Sequence, residues 1–491
     1  MLSDPEILLK TLQDLRSSVK EEGEKIFANW RPAIKQKSFL ISGQNLAYYL
    51  ALRHHDLRDL QTALMPWGLS SLGRSESRVL PSLDAVIYTL EKICQTAETI
   101  LPQRPPLRAF FRGDRLLNRQ IQAVFGPSSR QRKVRIMVTM PTEGATDYNL
   151  VLELLKAGTD CIRINCAHDH PEIWEAMVDN VRKAEQELGQ ICHICMDLAG
   201  PKPRTKAVIS PSANHRLMPG DLLLLTPDFP HTVNLSVSYI ASCSLPEVLP
   251  QLNIGDPVWI DEGKAGGEVI NIISEGVLIK MTHTPLKGFK LAVDKSLNFP
   301  DTVLHLSALT DKDLQDLNFA AHNADIIGYS FVQTAADIKL LQQELDKRLL
   351  NSRKIAIMAK VETKEAIRNL PELIVQAAGK QPLTIMIARG DLAVEISYER
   401  LAEMQEEILW LCQAAHVPVI WATQVLENLA KKGVPSRAEI TDAAMSERAE
   451  CVMLNKGAFI MEAVATLDDV LTRMQEHQSK KTPQLRALHS W

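Results

Sequence analysis

The sequence has few cysteines, no long apolar run and no excess of charge of either sign. Eight cysteines in 491 residues are too few for a disulfide scaffold, so a reducing, cytoplasmic setting is expected. No apolar segment approaches the ~18 residues that span a bilayer, and the start MLSDPEILLK lacks a signal-peptide core. With 55 basic and 59 acidic side chains, the whole chain offers no electrostatic reason to expect a nucleic-acid or membrane partner.

What is present is an ordinary globular composition. Hydrophobic residues make up 45% and charged residues 23%, so large cores can form. At roughly 150 residues per domain, the length suggests about three domains. Glycine-rich phosphate loops of the Walker type are absent from the sequence.

Residues 1–130 are predicted to form an N-terminal helical extension followed by a basic linker. Apolar side chains recur every three or four positions from Leu8 to Val19, which indicates an amphipathic helix, and segments 44–64 and 81–93 continue in that style. Segment 99–133 holds eight basic residues, one acid and four prolines. That composition favours a solvated connector, with a polyanion-docking segment as the alternative.

From residue 134 onward, short β-branched apolar runs alternate with helical stretches. The eight runs are 134–140, 160–167, 191–200, 324–332, 354–362, 383–391, 417–425 and 450–457. This alternation predicts an α/β fold, a (β/α)8 TIM barrel in two parts, 131–206 and 306–480, with a doubly wound sheet as the alternative. Residues 481–491 are a predicted tail.

The gap between the third and fourth runs is predicted to be a small inserted β-barrel lid domain, residues 207–305. It contains strand-like pieces bounded by turn signals, such as MPGDLLLLTP and EGVLIKMTHT. An insertion after a barrel strand rises from the catalytic face, so this one can act as a lid.

Polar side chains mark the carboxyl ends of the predicted strands, where barrel active sites lie. These residues are Arg163, Asn165, His168, Asp197, Lys360, Glu362, Arg389, Asp391 and Thr423. Residues two apart on a strand share a face, so Lys360 is expected to point the same way as Glu362. The alternative to a catalytic site is a set of ion pairs that hold the barrel mouth together.

Glu362 and Asp391 end adjacent predicted strands, which allows the two carboxylates to share one hard cation. Mg²⁺ typically takes one or two carboxylates together with substrate oxygens. Lys360 and Arg163 are then placed to hold a phosphoryl group or another anion.

Several of these segments together resemble the pyruvate kinase family over residues 134–475. The most specific is IAIMAKVETKEAI (355–367), which fits the family's active-site signature. The others are RINCAHD (163–169), MDLAGPKPRT (196–205), KSLNFPDT (295–302), LSALTDKD (306–313), IARGDLAVEI (387–396) and WATQVLEN (421–428). The matches occur in the family's order along the chain.

The resemblance implies phosphoryl transfer from phosphoenolpyruvate to ADP, giving ATP and pyruvate in glycolysis. It implies that Glu362 and Asp391 bind Mg²⁺, with Mn²⁺ as a substitute. Lys360 would stabilise the phosphoryl group in flight, Arg163 would hold the substrate phosphate, and Thr423 would lie on the route that protonates the enolate carbon.

The resemblance also implies the remaining contacts. Asn165, His168 and Arg204 would line the nucleotide phosphate side, and Lys295 would approach from the lid. Arg389 and Gly390 would bind the substrate, and backbone N–H groups near Gly390 and Asp391 would receive its carboxylate at a helix start. A homo-oligomer is expected.

The chain departs from the family at its monovalent-cation site. The family uses Asn165, Asp197, a serine and a threonine backbone oxygen, but here the last two positions are Ala167 and Leu198. The family's nearby glutamate is Lys202. A lysine ammonium is a compact point charge, so we expect Lys202 to replace K⁺ and the reaction not to require it.

Further departures affect the surroundings of the nucleotide and the architecture. The family's lysine after the third strand is Ala199, its first-strand glycine is missing at 139–141, and its last loop reads Asn455-Lys456-Gly457-Ala458. The family's usual C-terminal domain is expected to be absent, so its effector control does not carry over. A non-catalytic regulator and a Mg²⁺-dependent lyase acting on pyruvate-type substrates stay open as alternatives.

Overall fold

The computed structural model describes residues 4–95, 103–128, 132–210, 212, 215–228, 237, 239–349 and 354–484. In these ranges no helix has the length and apolar character needed to cross a membrane. The helices are Pro5–Trp30, Leu40–Arg53, Arg58–Leu64, Val79–Cys94, Leu107–Phe110, Arg112–Phe125, Tyr148–Ala157, Pro171–Leu188, Asp311–Asn323, Ala335–Arg348, Lys364–Arg368, Leu370–Ala378, Arg389–Ile396, Tyr398–Ala414, Glu427–Lys432, Arg437–Met445 and Ile460–Met474.

Eight parallel strands close into a barrel. They are β1 Arg135–Thr139, β2 Cys161–Asn165, β3 His193–Asp197, β4 Ile326–Tyr329, β5 Ala356–Val361, β6 Leu383–Ala388, β7 Val419–Ala422 and β8 Cys451–Leu454. Each strand pairs with its sequence neighbours, and β1 pairs with β8 to complete the ring. The predicted (β/α)8 barrel is therefore confirmed, and the doubly wound sheet, which has open edges, is wrong.

The barrel interior is closed at its amino-terminal end by the Arg112–Phe125 helix. Val124 and Phe125 are fully buried among the inward-facing strand residues. The Val124 carbonyl accepts a hydrogen bond from His193, and Arg135 donates to the Gly126 carbonyl. Both partners begin strands, which places the helix end under the barrel.

This helix occupies a segment whose composition suggested a connector. Segment 99–133 is helical at 107–110 and 112–125, while 99–102 and 129–131 lie outside the described residues. The predicted connector is a packed helix because the few apolar side chains at its end decide how it packs. The many arginines dominate the composition but not the packing. Arg132 is itself buried, with 1% of its surface exposed.

The N-terminal helices pack directly on the barrel and share its main apolar core. The helix predicted from Leu8 to Val19 is present as Pro5–Trp30. Backbone N–H groups of Lys35 and Gln36 both donate to the Gly379 carbonyl at 2.7 Å. These contacts tie the extension to the loop before β6.

His416 joins the same two parts of the chain. Its Nε2 donates to the Ser77 carbonyl at 3.0 Å, so its Nδ1 accepts from the Ser42 hydroxyl at 2.9 Å. Burial lowers the pKa of His416 below its usual 6.5, against the smaller opposing effects of the Ser77 bond and Asp114. The ring is therefore neutral in the folded protein near neutral pH.

We expect the free energy of unfolding to fall as the pH drops below 6.5. In that range the unfolded chain takes up a proton at His416 that the folded protein does not, and each unit of pKa difference is worth about 1.4 kcal/mol. A His416→Gln variant should lose this part of the pH dependence in urea unfolding between pH 5 and pH 8. Identical pH profiles for both proteins would contradict the prediction.

The inserted segment forms one seven-stranded sheet, which agrees with its predicted β character, while its action as a lid stays a prediction. Its strands are Thr205–Ile209, Leu222–Thr226, Tyr239–Cys243, Pro257–Ile260, Ala265–Ile273, Gly276–His283 and Leu297–Asn298. The first and last strands lie at opposite edges, yet a bridge between Arg204 and Ser296 joins them where the lid meets the barrel. The lid therefore leaves and re-enters the barrel at one point, next to the ends of β3 and β4.

Candidate active site

Arg163, Asp197 and Lys360 meet at the carboxyl end of the barrel. Asp197 Oδ2 accepts hydrogen bonds from Arg163 Nε at 2.8 Å and from Arg163 Nη2 at 2.6 Å. Lys360 Nζ lies 3.6 Å from the same oxygen. Asp197 is 1% exposed, so its charge is stable there only because two cations face it.

Lys360 also contacts Glu362 and Ser330. Its Nζ is 3.1 Å from Glu362 Oε1 and donates to Ser330 Oγ at 2.7 Å. The other Glu362 oxygen accepts the Phe331 backbone N–H at 2.6 Å, and Phe331 has a φ of +54°. A non-glycine residue in that region of φ is unusual and here serves to turn its N–H toward the carboxylate.

Asp391 forms the second acidic position. Lys202 Nζ lies 2.7 and 2.8 Å from its two oxygens, and Asn298 Nδ2 donates to Asp391 Oδ1 at 3.3 Å. The Lys202 ammonium also lies 5.9 Å from the centre of the Phe331 ring. The sequence grouped Lys202 with Asn165 and Asp197, whereas in the structure its ion pair is with Asp391.

The pKa shifts of these groups follow from burial and from their neighbours. Burial alone would raise the pKa of Asp197, but Lys360 and Arg163 outweigh it and hold the pKa below its usual value. Burial raises the pKa of Glu362 and the charge of Asp391 adds to the rise, against the pull of Lys360. The charge of Asp391 therefore disfavours the ionised form of Glu362, although each carboxylate also faces a lysine.

A divalent cation fits this pair of carboxylates, of which Asp391 is also bound by Lys202. A cation shared by the two carboxylates would offset the effect of Asp391 on Glu362, and Mg²⁺ needs only one or two protein carboxylates. Across the described ranges no group of three or more His, Cys, Asp or Glu side chains could hold a metal. The described residues thus offer no cluster of such ligands for a transition metal. The remaining Mg²⁺ ligands would have to be substrate oxygens or water.

Arg389 and Thr423 form a neighbouring unit. Arg389 Nη1 and Nη2 pair with the Asp442 carboxylate at 2.5 and 2.8 Å, and Nε donates to the Ala422 carbonyl. Thr423, with a φ of +65°, accepts the Gly390 N–H on its Oγ1 at 3.0 Å. Arg389 thus fixes the loop after β7, and Thr423 Oγ1 lies at the start of the Arg389–Ile396 helix.

The residues predicted to line the nucleotide phosphates are not all brought into one cluster. His168 lies in a cavity of about 250 Å³ together with Arg163, Asn165, Lys431 and Lys456. Burial lowers the pKa of His168, and the charges of Lys456 and Arg204 lower it further. These charges favour an anion in the cavity.

Arg204 and Lys295, the two residues predicted to approach from the lid side, each bond to an aspartate residue of the lid. Arg204 donates to the Asp294 carbonyl at 3.0 Å, and Lys295 Nζ lies 3.2 Å from Asp261 Oδ2. A phosphate that binds either side chain would compete with a carboxylate or a carbonyl already in place. The charge of Arg204 thus reaches His168, whereas Lys295 pairs with a carboxylate of the lid.

Three neighbours of the site did not emerge from the sequence. Ser330 lies near the end of the fourth apolar run, directly after strand β4, and could have been found by the end-of-strand rule that selected the others. Asn298 ends the short lid strand Leu297–Asn298 and Asp442 lies on the Arg437–Met445 helix, so neither follows a strand of the barrel. No sequence pattern marks them.

Comparison with known proteins places this barrel in a family. The family model described as "Pyruvate kinase, barrel domain" matches residues 131–464, which are more than half of the chain. The chain belongs to the pyruvate kinase family. Pyruvate kinase from Candida albicans is 30% identical over 351 residues, which are 70% of this chain and 66% of that protein.

Other family members show the same extent of likeness. Pyruvate kinase 2 of Candida glabrata is 29% identical over 72% of this chain and 68% of its own length. The crystal structure of a pyruvate kinase from Cryptosporidium parvum superposes with a TM-score of 0.62 at 28% identity and covers 72% of both chains. The chain spans about two thirds of the length of the curated pyruvate kinases that it matches.

Proposed function

We propose that this protein is an active pyruvate kinase that transfers the phosphoryl group of phosphoenolpyruvate to ADP. The observation that carries the proposal is the convergence of Arg163, Lys360, Glu362 and Asp391 at the catalytic end of the barrel. In the transfer, the bond from phosphorus to the enol oxygen breaks and a bond to an ADP oxygen forms. The enolate carbon then takes a proton, and pyruvate and ATP leave.

The side chains have separable tasks in this proposal. Glu362 and Asp391 would hold Mg²⁺, which when bound would neutralise charge on the phosphoryl oxygens. Lys360 Nζ, fixed by Ser330 and Glu362, donates to the phosphoryl group in transit. The Arg163 guanidinium, oriented by Asp197, offers its planar fork to the substrate phosphate.

Proton delivery is assigned to Thr423. Its Oγ1 accepts the Gly390 N–H, which leaves the hydroxyl hydrogen free to point into the site. Arg389 does not reach the substrate in this arrangement, because Asp442 and two carbonyls occupy its guanidinium. It acts as a positioning residue for the loop that carries Thr423.

A coupled assay with phosphoenolpyruvate, ADP and Mg²⁺ tests the proposal. Pyruvate and ATP should appear in equal amounts. A folded protein that forms no pyruvate would support a non-catalytic regulator, and loss of phosphoenolpyruvate without ATP would support a lyase or another activity. Mn²⁺ should substitute for Mg²⁺.

We also propose that K⁺ is not required, because Lys202 supplies a fixed positive charge beside Asp391. The wild-type rate should not change when K⁺ replaces Na⁺ at fixed ionic strength. A Lys202→Gln variant should lose most of its rate in Na⁺ and regain part of it in K⁺. Lys206→Gln, an exposed lid lysine, is the control that should behave as wild type. A wild-type rate that climbs steeply with K⁺ would contradict the proposal.

A further inference from the structure

A cavity of about 250 Å³ lies where the lid rejoins the barrel, beside the proposed site for phosphoryl transfer. Its walls come from the lid return at 297–306, the loop after β4, the start of the Lys364–Arg368 helix and Glu395. Much of the lining is apolar, notably Leu297, Phe299, Val303, Leu304, Leu306 and Phe331. Nothing in the proposed transfer reaction uses this space.

The positive and negative side chains that line the cavity are unequal in number. Lys364 Nζ pairs with Asp301 at 2.8 Å, and Arg368 Nη1 faces Glu365 at 3.4 Å. The fifth charged residue, Glu395, has no basic ion-pair partner among the residues that the structure describes. The lining thus carries one carboxylate in excess, and that charge favours a cation.

Asn298 supplies an unused acceptor in the same wall. Its side chain is buried and donates from Nδ2 to Asp391, and it acts to lower the pKa of the neighbouring Glu395. Because the Asp391 carboxylate accepts this bond, the amide nitrogen must face it, which leaves Oδ1 as the free end. Within the described ranges Asn298 Oδ1 has no hydrogen-bond partner although it is buried.

The state of Glu395 agrees with this geometry. Burial raises the pKa of Glu395 to about 7 and the charge of Asp391 adds to the rise, while Asn298 and the charge of Lys364, which is paired with Asp301, oppose it. A carboxylate held in an apolar wall without a cation is costly, and a cationic ligand would remove that cost.

We propose that this cavity binds a small organic amine. Its ammonium group would contact the Glu395 carboxylate and Asn298 Oδ1, and its apolar body would cover Leu297, Phe331 and the neighbouring walls. An inorganic cation would satisfy the charge but leave the apolar lining unfilled. Since Asn298 also bonds to Asp391, an occupant would hold the lid return against the proposed metal site.

Direct binding to the full-length protein, without substrates, tests this site independently of the proposed activity. The probe is cyclohexylamine, measured by calorimetry against cyclohexanol, which has the same shape and no charge. The amine should bind at least about tenfold more tightly than the alcohol, and Glu395→Gln should remove that preference. Equal affinities in the wild type would overturn the proposal.

A second variant tests the position of the site. Val303 is 60% exposed on the cavity rim, so Val303→Trp should fill the cavity without unfolding the lid and abolish amine binding. Ile254→Trp is the matched control, because Ile254 is an exposed lid residue, 65% accessible, away from the cavity. Unchanged amine affinity in Val303→Trp, or complete displacement by equimolar K⁺, would also overturn the proposal.

Discussion

Replacing Lys360 with methionine should lower kcat by at least about a thousandfold while the protein stays folded. In the wild type the ammonium is within reach of Ser330, Glu362 and Asp197, which holds it where the proposed transfer would develop charge on the phosphoryl group. Methionine fills a similar volume but offers no donor. Because the lost contact is made mainly in the transition state, kcat and kcat/KM should fall together.

Metal binding should respond in the opposite way. Lys360 is 3.1 Å from Glu362, so it competes electrostatically with a divalent cation for that carboxylate. Mn²⁺ affinity of Lys360→Met, followed by electron paramagnetic resonance, should equal or exceed that of the wild type. Lys347→Met, on an exposed helix face, is the control with normal kcat. Near-normal turnover in Lys360→Met would show that the assignment is wrong.

The main elements of the site follow from two properties of the sequence. Parallel strands in a barrel end on one face, and alternate residues on a strand point the same way, so Lys360 and Glu362 had to share the mouth with Arg163 and Asp197. The same reasoning applies to Ser330. The course of the backbone alone brings these residues together, so a single sequence is enough to predict that they form one group.

Contacts made by loops and by the lid could not be predicted in this way. The ion pair of Lys202 with Asp391 joins the loop after β3 to a helix start 189 residues later, and its geometry depends on how the lid rejoins the barrel. The docking of Val124 and Phe125 under the barrel depends on shape complementarity over a few side chains. Neither hydrophobic periodicity nor composition carries that information.

The Arg132→Met substitution should lower the free energy of unfolding by about 3–5 kcal/mol. Arg132 is almost completely buried and pairs with Asp160 at 2.7 Å and with Asp468 at 2.6 Å. It also donates to the carbonyls of Val134 and Gly158. One guanidinium thus joins the residues that precede β1 and β2 to the last barrel helix.

The size of this effect follows from what the substitution leaves behind. Asp160 is 2% exposed, and without Arg132 its Oδ2 would keep the Ile136 N–H at 2.8 Å but no paired cation among the residues that the structure describes. Adding Asp160→Asn to Arg132→Met should therefore recover part of the lost stability in urea unfolding. Arg473→Met, which removes an exposed ion pair with Asp469, should leave the unfolding midpoint unchanged. If Arg132→Met unfolds at the same midpoint as Arg473→Met, the buried network does not stabilise the barrel.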